Sequence, residues 1–322
     1  MAREADKAPV SGVYPMLYAF FDEDERLDRR AMRLEVESLL AAKVHGIAVL
    51  GLASESNKLD VNERRTMLAW AAEDVGGRVP LAVTVAEPSV PGQVAFVRAA
   101  ADAGAAFVIL QPPPVRGVGE GELLGFFGAV ADASPVPVGI QNAPEFLGTD
   151  ISPAGLAALA RAHPNVTILK TELLPEPLAK LIDATGGAFT VLNGRAGQHM
   201  NDCLALGCAG IIPGAESADV LVRLFDLARS GRPGDRAEAD RLYAGIGPVL
   251  DFLERGLDPL LVYGKRIMAR RLGLAPERAR PRRPHGDVEP AGLELIEDYA
   301  RRLGPLPRGP SRREGTHGRG AA

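Results

Sequence analysis

Two residues near the middle of the chain, Lys170 and Glu172, have the types and spacing for carbonyl chemistry. They close the stretch Asn165-Val-Thr-Ile-Leu-Lys170-Thr-Glu172, with His163-Pro164 before it and Pro175 and Pro177 after it. A β-branched run so bounded predicts a buried strand. Side chains alternate along a strand, so residues two apart share a side. An ammonium group in such a place is costly unless it is paired or its pKa falls. A lysine with a lowered pKa attacks a ketone carbon and forms a Schiff base. Glu172, ~7 Å further along by strand rise, fits either an ion partner or an acid/base group acting through water. Taken alone, the stretch also fits a lysine that simply meets solvent or a structural glutamate.

Other polar groups fall at comparable places. The turn Gly51-Leu52-Ala53-Ser54-Glu55 offers successive backbone amides, which favour an anion such as a carboxylate. Gln141 and Asn142 end one apolar run, Asn193-Gly194 another, and Ile212 a third. An amine with an anion pocket beside it suits a 2-oxo acid, the lysine taking the ketone and the amides of Ala53 and Ser54 the carboxylate. Lys170, Gln141 and Glu172 are therefore the expected catalytic residues. Ala53, Ser54, Asn193, Gly194 and Ile212 are expected to line the substrate. His199, Cys203 and Cys208 form a loose H-x3-C-x4-C group with no second ligand pair, and read as packing residues. No metal or other cofactor is expected.

The elements that must position these groups repeat as strand then helix at a spacing of roughly 25–30 residues. The predicted strands are 13–18, 46–50, 80–85, 105–111, 136–141, 165–170, 189–192 and 209–212. Helices are predicted after each, including one opened by the cap Ser152-Pro153. Eight such units point to a closed (β/α)8 TIM barrel over residues 11–231, whose active sites gather at the C-terminal ends of the strands. An open doubly wound sheet fits less well, since no G-x-G-x-x-G follows a strand. Residues 232–303 read as helices alone, a C-terminal extension. Residues 1–10 form an N-terminal arm, and residues 304–322, rich in Gly, Pro and Arg, a disordered tail.

The chain has 322 residues, 46% of them hydrophobic, and a net charge of −4. The interspersed charge suggests neither a nucleic-acid face nor a polybasic membrane patch. No apolar run of ~18 residues marks a membrane span, and the opening residues lack an apolar signal core. Two cysteines fit a reducing compartment, so a cytoplasmic location is expected.

In this order the motifs resemble the dihydrodipicolinate synthase / N-acetylneuraminate lyase family of Schiff-base aldolases and dehydratases. The opening Gly12-Val-Tyr-Pro-Met-Leu-Tyr-Ala-Phe-Phe-Asp22 is similar to that family's G-x-x-P-A-x-x-T-P-F-D. Gly51-Leu-Ala-Ser-Glu55 stands where the family has G-T-T-G-E, and Asn142-Ala-Pro144 with Gly148 where it has Y-N-x-P-x-x-x-G. Ile168-Leu-Lys170 matches the Schiff-base lysine strand, and Gly207-Cys-Ala-Gly-Ile-Ile212 the glycine-rich strand near the end of the barrel. The resemblance spans roughly residues 10–300 and implies a lyase acting on a pyruvate-like 2-oxo acid, with an aldehyde as a second partner. It also implies a homo-oligomer, a dimer or a tetramer.

The departures are specific. By the resemblance, Gln141 replaces the catalytic tyrosine, Leu52 and Ala53 the two threonines, Pro114 a second tyrosine and Phe146 the arginine near the mouth. A glutamine amide hydrogen-bonds but does not ionise at neutral pH. The expectation is a Schiff-base lyase that is not an authentic dihydrodipicolinate synthase. The alternative is a catalytically silent barrel that binds 2-oxo acids.

Overall fold

Short aliphatic runs become parallel strands when both faces of a sheet are covered, because no alternation is then required. The computed structural model describes residues 10–115 and 117–309. Its strands are β1 (Gly12–Val13), β2 (Ile47–Val49), β3 (Leu81–Val85), β4 (Phe107–Leu110), β5 (Val138–Asn142), β6 (Val166–Thr171), β7 (Thr190–Asn193) and β8 (Gly210–Ile211). All pair in parallel, in the order β1-β8-β7-β6-β5-β4-β3-β2. Met16, just past β1, bridges to both Ala48 of β2 and Gly214, which closes the ring. The expected (β/α)8 TIM barrel is the observed fold. Its seam is tight: a methyl group on Gly210 would come within 2.0 Å of the Gly12 carbonyl oxygen.

Several of the helices between strands start at side-chain caps. Ser152 accepts a hydrogen bond from the Gly155 amide, with Pro153 in the first turn of Pro153–Ala162. Asp60 and Glu63 form a reciprocal capping box on Val61–Val75. Two elements are shorter than the sequence suggests. The first strand pairs over two residues rather than to Tyr18, since Pro15 has no N–H to give a ladder. The helix after β7 is confined to Met200–Ala205, because Arg195, Ala196 and His199 take φ of 51, 50 and 56° and coil the chain first.

Beyond the barrel, Asp235–Leu253 is one long helix, and Gly256 (φ 154°) breaks the chain after it. The next helical stretch is irregular: Leu260–Gly264 is π-helical, and regular helix resumes at Lys265–Leu272. Pro290–Leu303 is the last helix. These pieces share a second apolar cluster containing Phe252, Tyr263, Ile267, Ile296 and Tyr299. Tyr263 is thus packed within the extension, its hydroxyl accepting from the Glu289 amide, and does not lean over the barrel.

Ion pairs bind the extension to the barrel. Lys265 and Glu55, both fully buried, meet at 2.8 Å, and Glu55 also receives Lys58 and the Arg282 amide. Arg271 holds Asp219 at 2.8 Å, and Arg282 holds Glu63 at 2.7 Å. Among the described residues no helix is long and apolar enough to cross a membrane. The arm and the tail read from the sequence fall, apart from residue 10 and residues 304–309, outside the described residues.

Candidate active site

At the C-terminal ends of the strands a small cavity of about 40 Å³, partly open to solvent, is lined by Lys170, Glu172, Leu52, Ala53, Phe146 and Ile212 among others. Lys170 is the fifth residue of β6 and only 4% exposed. Its ammonium donates directly to Glu172 Oε1, so the two meet without an intervening water. The other oxygen of Glu172 accepts the backbone N–H of Arg195. A buried charge is tolerable when it is paired and hydrogen-bonded, and both conditions hold here.

Gly194 makes room for this pair. A Cβ at that position would lie 2.0 Å from Glu172 Oε2, so even alanine would displace the carboxylate. Gly194 is accordingly a spacer behind Glu172 and does not line the cavity. Asn193 is engaged within the barrel rim. Its Oδ1 accepts from Thr171 Oγ1 and the Leu173 amide, and its Nδ2 donates to the Leu173 carbonyl and to Cys203 Sγ. An amide with both ends occupied holds the strand ends of β6 and β7 in place.

Ser54 also departs from expectation. It is fully buried, donates its hydroxyl hydrogen to the Leu17 carbonyl and accepts the Leu50 amide at 3.0 Å. The hydroxyl serves the loop, because Leu50 (φ 66°) and Glu55 (φ 52°) bend it into conformations that need outside support. Ser54 and Glu55 close tight turns back to Gly51 and Leu52, and the Gly51 amide rests on Met16 Sδ. The amides at Leu52 and Ala53, in the first turn of this short helix, are the ones left for an anion.

Gln141 sits directly beside Lys170 in the β5–β6 register. It is 2% exposed, accepts from Gln111 Nε2 at 3.0 Å, and its own Nε2 has no hydrogen-bond partner. It lies behind the cavity lining, with one unsatisfied donor beside the lysine. Pro114, which by the resemblance replaces a tyrosine, does not line the cavity; Leu52 and Phe146 do. Tyr18 donates to Glu216 at 2.7 Å within the core, and burial together with the Glu216 charge pushes its hydroxyl well above the usual range. Cys203 and Cys208 are free and buried.

Two charged cavity-lining residues were not anticipated. Arg195 follows β7 directly; its guanidinium donates to the Glu172 carbonyl at 2.9 Å and to Glu145 at 3.2 Å. A basic residue immediately after a barrel strand is a signal the sequence did carry. Glu254 comes from the end of the long C-terminal helix, far from any strand, and nothing in its local sequence marks it. Gly256, Leu257 and Leu260 bring the extension over the same side of the cavity.

The comparisons with known proteins agree with this architecture. Residues 9–299 match the sequence profile described as the Dihydrodipicolinate synthetase family. A 4-hydroxy-tetrahydrodipicolinate synthase of Xanthomonas axonopodis pv. citri is 34% identical over 226 residues, covering 69% of this chain and 74% of the relative. An L-2-keto-3-deoxyarabonate dehydratase of Azospirillum brasilense is 28% identical over 301 residues, covering 92% of this chain and 95% of the relative. Among solved structures, YagE of Escherichia coli K12, crystallised in complex with pyruvate, has a TM-score of 0.82 at 24% identity. That match covers 92% of this chain and 99% of YagE.

Proposed function

The chain belongs to the dihydrodipicolinate synthetase family, and from that premise we propose that it is a Schiff-base-forming lyase, an aldolase or a dehydratase. Its substrate is a 2-oxo acid or the aldol adduct of one, taken through Lys170. The observation that carries this reading is a buried lysine opening on a cavity with a carboxylate already in hydrogen bond to its nitrogen. Glu172 is placed to take the ammonium proton, which frees the amine to attack C2 of the ketone. Loss of water from the carbinolamine leaves an iminium. That iminium accepts the electron pair when the C3–C4 bond breaks, or when C3–H and then C4–O break in a dehydration.

The amides of Leu52 and Ala53 would hold the substrate carboxylate, with Ile212 as wall. Gln141, expected to orient a substrate oxygen, keeps an unpartnered amide beside Lys170, one layer behind the lining. Leu52 and Phe146 make the entrance apolar where the resemblance places polar or charged groups in the synthases. This supports a second substrate less charged than theirs, and an activity other than authentic dihydrodipicolinate synthesis. Residues 11–231 are then the catalytic barrel and residues 232–303 an extension that completes its mouth. The family resemblance supports a dimer or tetramer, and two free buried cysteines support a cytoplasmic setting.

The test is borohydride reduction in the presence of pyruvate, followed by mass spectrometry. An N-(1-carboxyethyl) group on Lys170, absent in Lys170→Ala, is the expected result. No adduct with any 2-oxo acid would remove the proposal. An adduct without turnover across a panel of aldehydes and hydroxylated 2-oxo acids would favour the silent binding barrel.

A further inference from the structure

Two carboxylates line the cavity, and they are in different states of engagement. Glu172 has both oxygens occupied, one by the Lys170 ammonium and one by the Arg195 amide. Glu254 has a side chain only 8% exposed, and its Oε1 has no hydrogen-bond partner. The nearby cation is Arg195, whose Nε is 3.5 Å from that oxygen; the guanidinium also serves Glu145 and the Glu172 carbonyl. A buried carboxyl oxygen left without a donor is costly, and such groups persist where a ligand or a chemical role calls for them.

Resting on the reading of Lys170 given above, we propose that Glu254, supplied by the C-terminal extension, carries the proton to and from C3 of the lysine-bound 2-oxo acid. In this step the C3–H bond of the iminium breaks and its electron pair becomes the C2–C3 double bond of the enamine. The positive charge on nitrogen is neutralised, and the proton forms an O–H bond on Glu254. The reverse step returns it. Glu172 manages the proton on nitrogen and Glu254 the proton on carbon, so the work that falls to an ionisable hydroxyl in the resembling enzymes is moved to a carboxyl group from outside the barrel.

The electrostatics suit the task. Burial foremost, and then the Glu172 charge, push Glu254 up to about 7, against the opposing pull of Arg195 and Lys170 and with a smaller push from Glu145. A base with a pKa near the working pH combines an available ionised fraction with a useful driving force.

The test uses the full chain and pyruvate in D2O. Exchange of the methyl hydrogens is followed by proton NMR across pH, with borohydride trapping on Lys170 run in parallel. The unsubstituted protein should exchange the methyl hydrogens, with an acid limb centred near pH 7. Glu254→Gln should still be trapped, which also reports that it folds, yet exchange about 100-fold more slowly with the acid limb gone. Glu254→Asp should recover part of the rate on a displaced limb. A Glu254→Gln protein that is trapped and exchanges at the original rate with the original limb overturns the proposal. One that loses trapping and exchange together overturns it too, and makes Glu254 an anchor for Arg195. No trapping in the unsubstituted protein removes the Lys170 reading, and this inference falls with it.

Discussion

Replacing Glu254 by glutamine should make the protein more stable at pH 8 and much less so at pH 5. An unfolded glutamate titrates near 4.5, whereas in the folded protein Glu254 is pushed up to about 7. Between those values the native state keeps a proton that the unfolded chain has released, so stability falls as pH rises through that window. A displacement of about 2.5 pH units at about 1.4 kcal/mol each gives close to 3 kcal/mol, present in full only above the folded pKa. The favourable influence of Arg195 and Lys170 is already contained in that value. Glutamine has the same shape and no ionisation, so it avoids the cost. Urea unfolding followed by circular dichroism, at one protein concentration and at both pH values, measures the difference. A gain of about 3 kcal/mol at pH 8 that shrinks to under about 1 kcal/mol at pH 5 is the expected outcome. Equal stabilities at both pH values would mean that the carboxyl is well solvated, and the reasoning about its burial would be wrong.

Gly194→Ala should force Glu172 off Lys170, since the new methyl would sit 2.0 Å from the carboxylate oxygen. Pyruvate trapping on Lys170 should slow by at least about tenfold while far-UV circular dichroism is kept, and an unchanged trapping rate would show that Glu172 does not assist the amine. Lys265→Met removes one partner of a fully buried ion pair that ties the extension to the loop after β2. The expected loss is about 3–5 kcal/mol. By calorimetry this is a fall in Tm on the order of 10 °C, and a change below about 2 °C would show that Lys58 and the Arg282 amide suffice to hold Glu55.

The sequence by itself determined the barrel and the place of its buried lysine. Eight βα units have few ways to bury their apolar strands, and the run ending at Lys170 is so short and so apolar that its terminal lysine must emerge at the rim. The same logic located Ala53, Leu52, Phe146 and Ile212 at the cavity. It left open how Ser54, Asn193 and Gly194 are used, because position at a strand end does not tell whether a polar group turns toward the cavity or spends its hydrogen bonds on the loop that holds it. Tertiary structure alone decided the second carboxylate. Glu254 is eighty-odd residues beyond Lys170 and reaches the cavity because the extension is pinned to the barrel by Lys265, Arg271 and Arg282. A residue brought in by docking carries no period, cap or motif of its own, and its ionisation is set first by burial and then by charges at the end of β6 and in the loop after β7, which meet it only when the chain has folded.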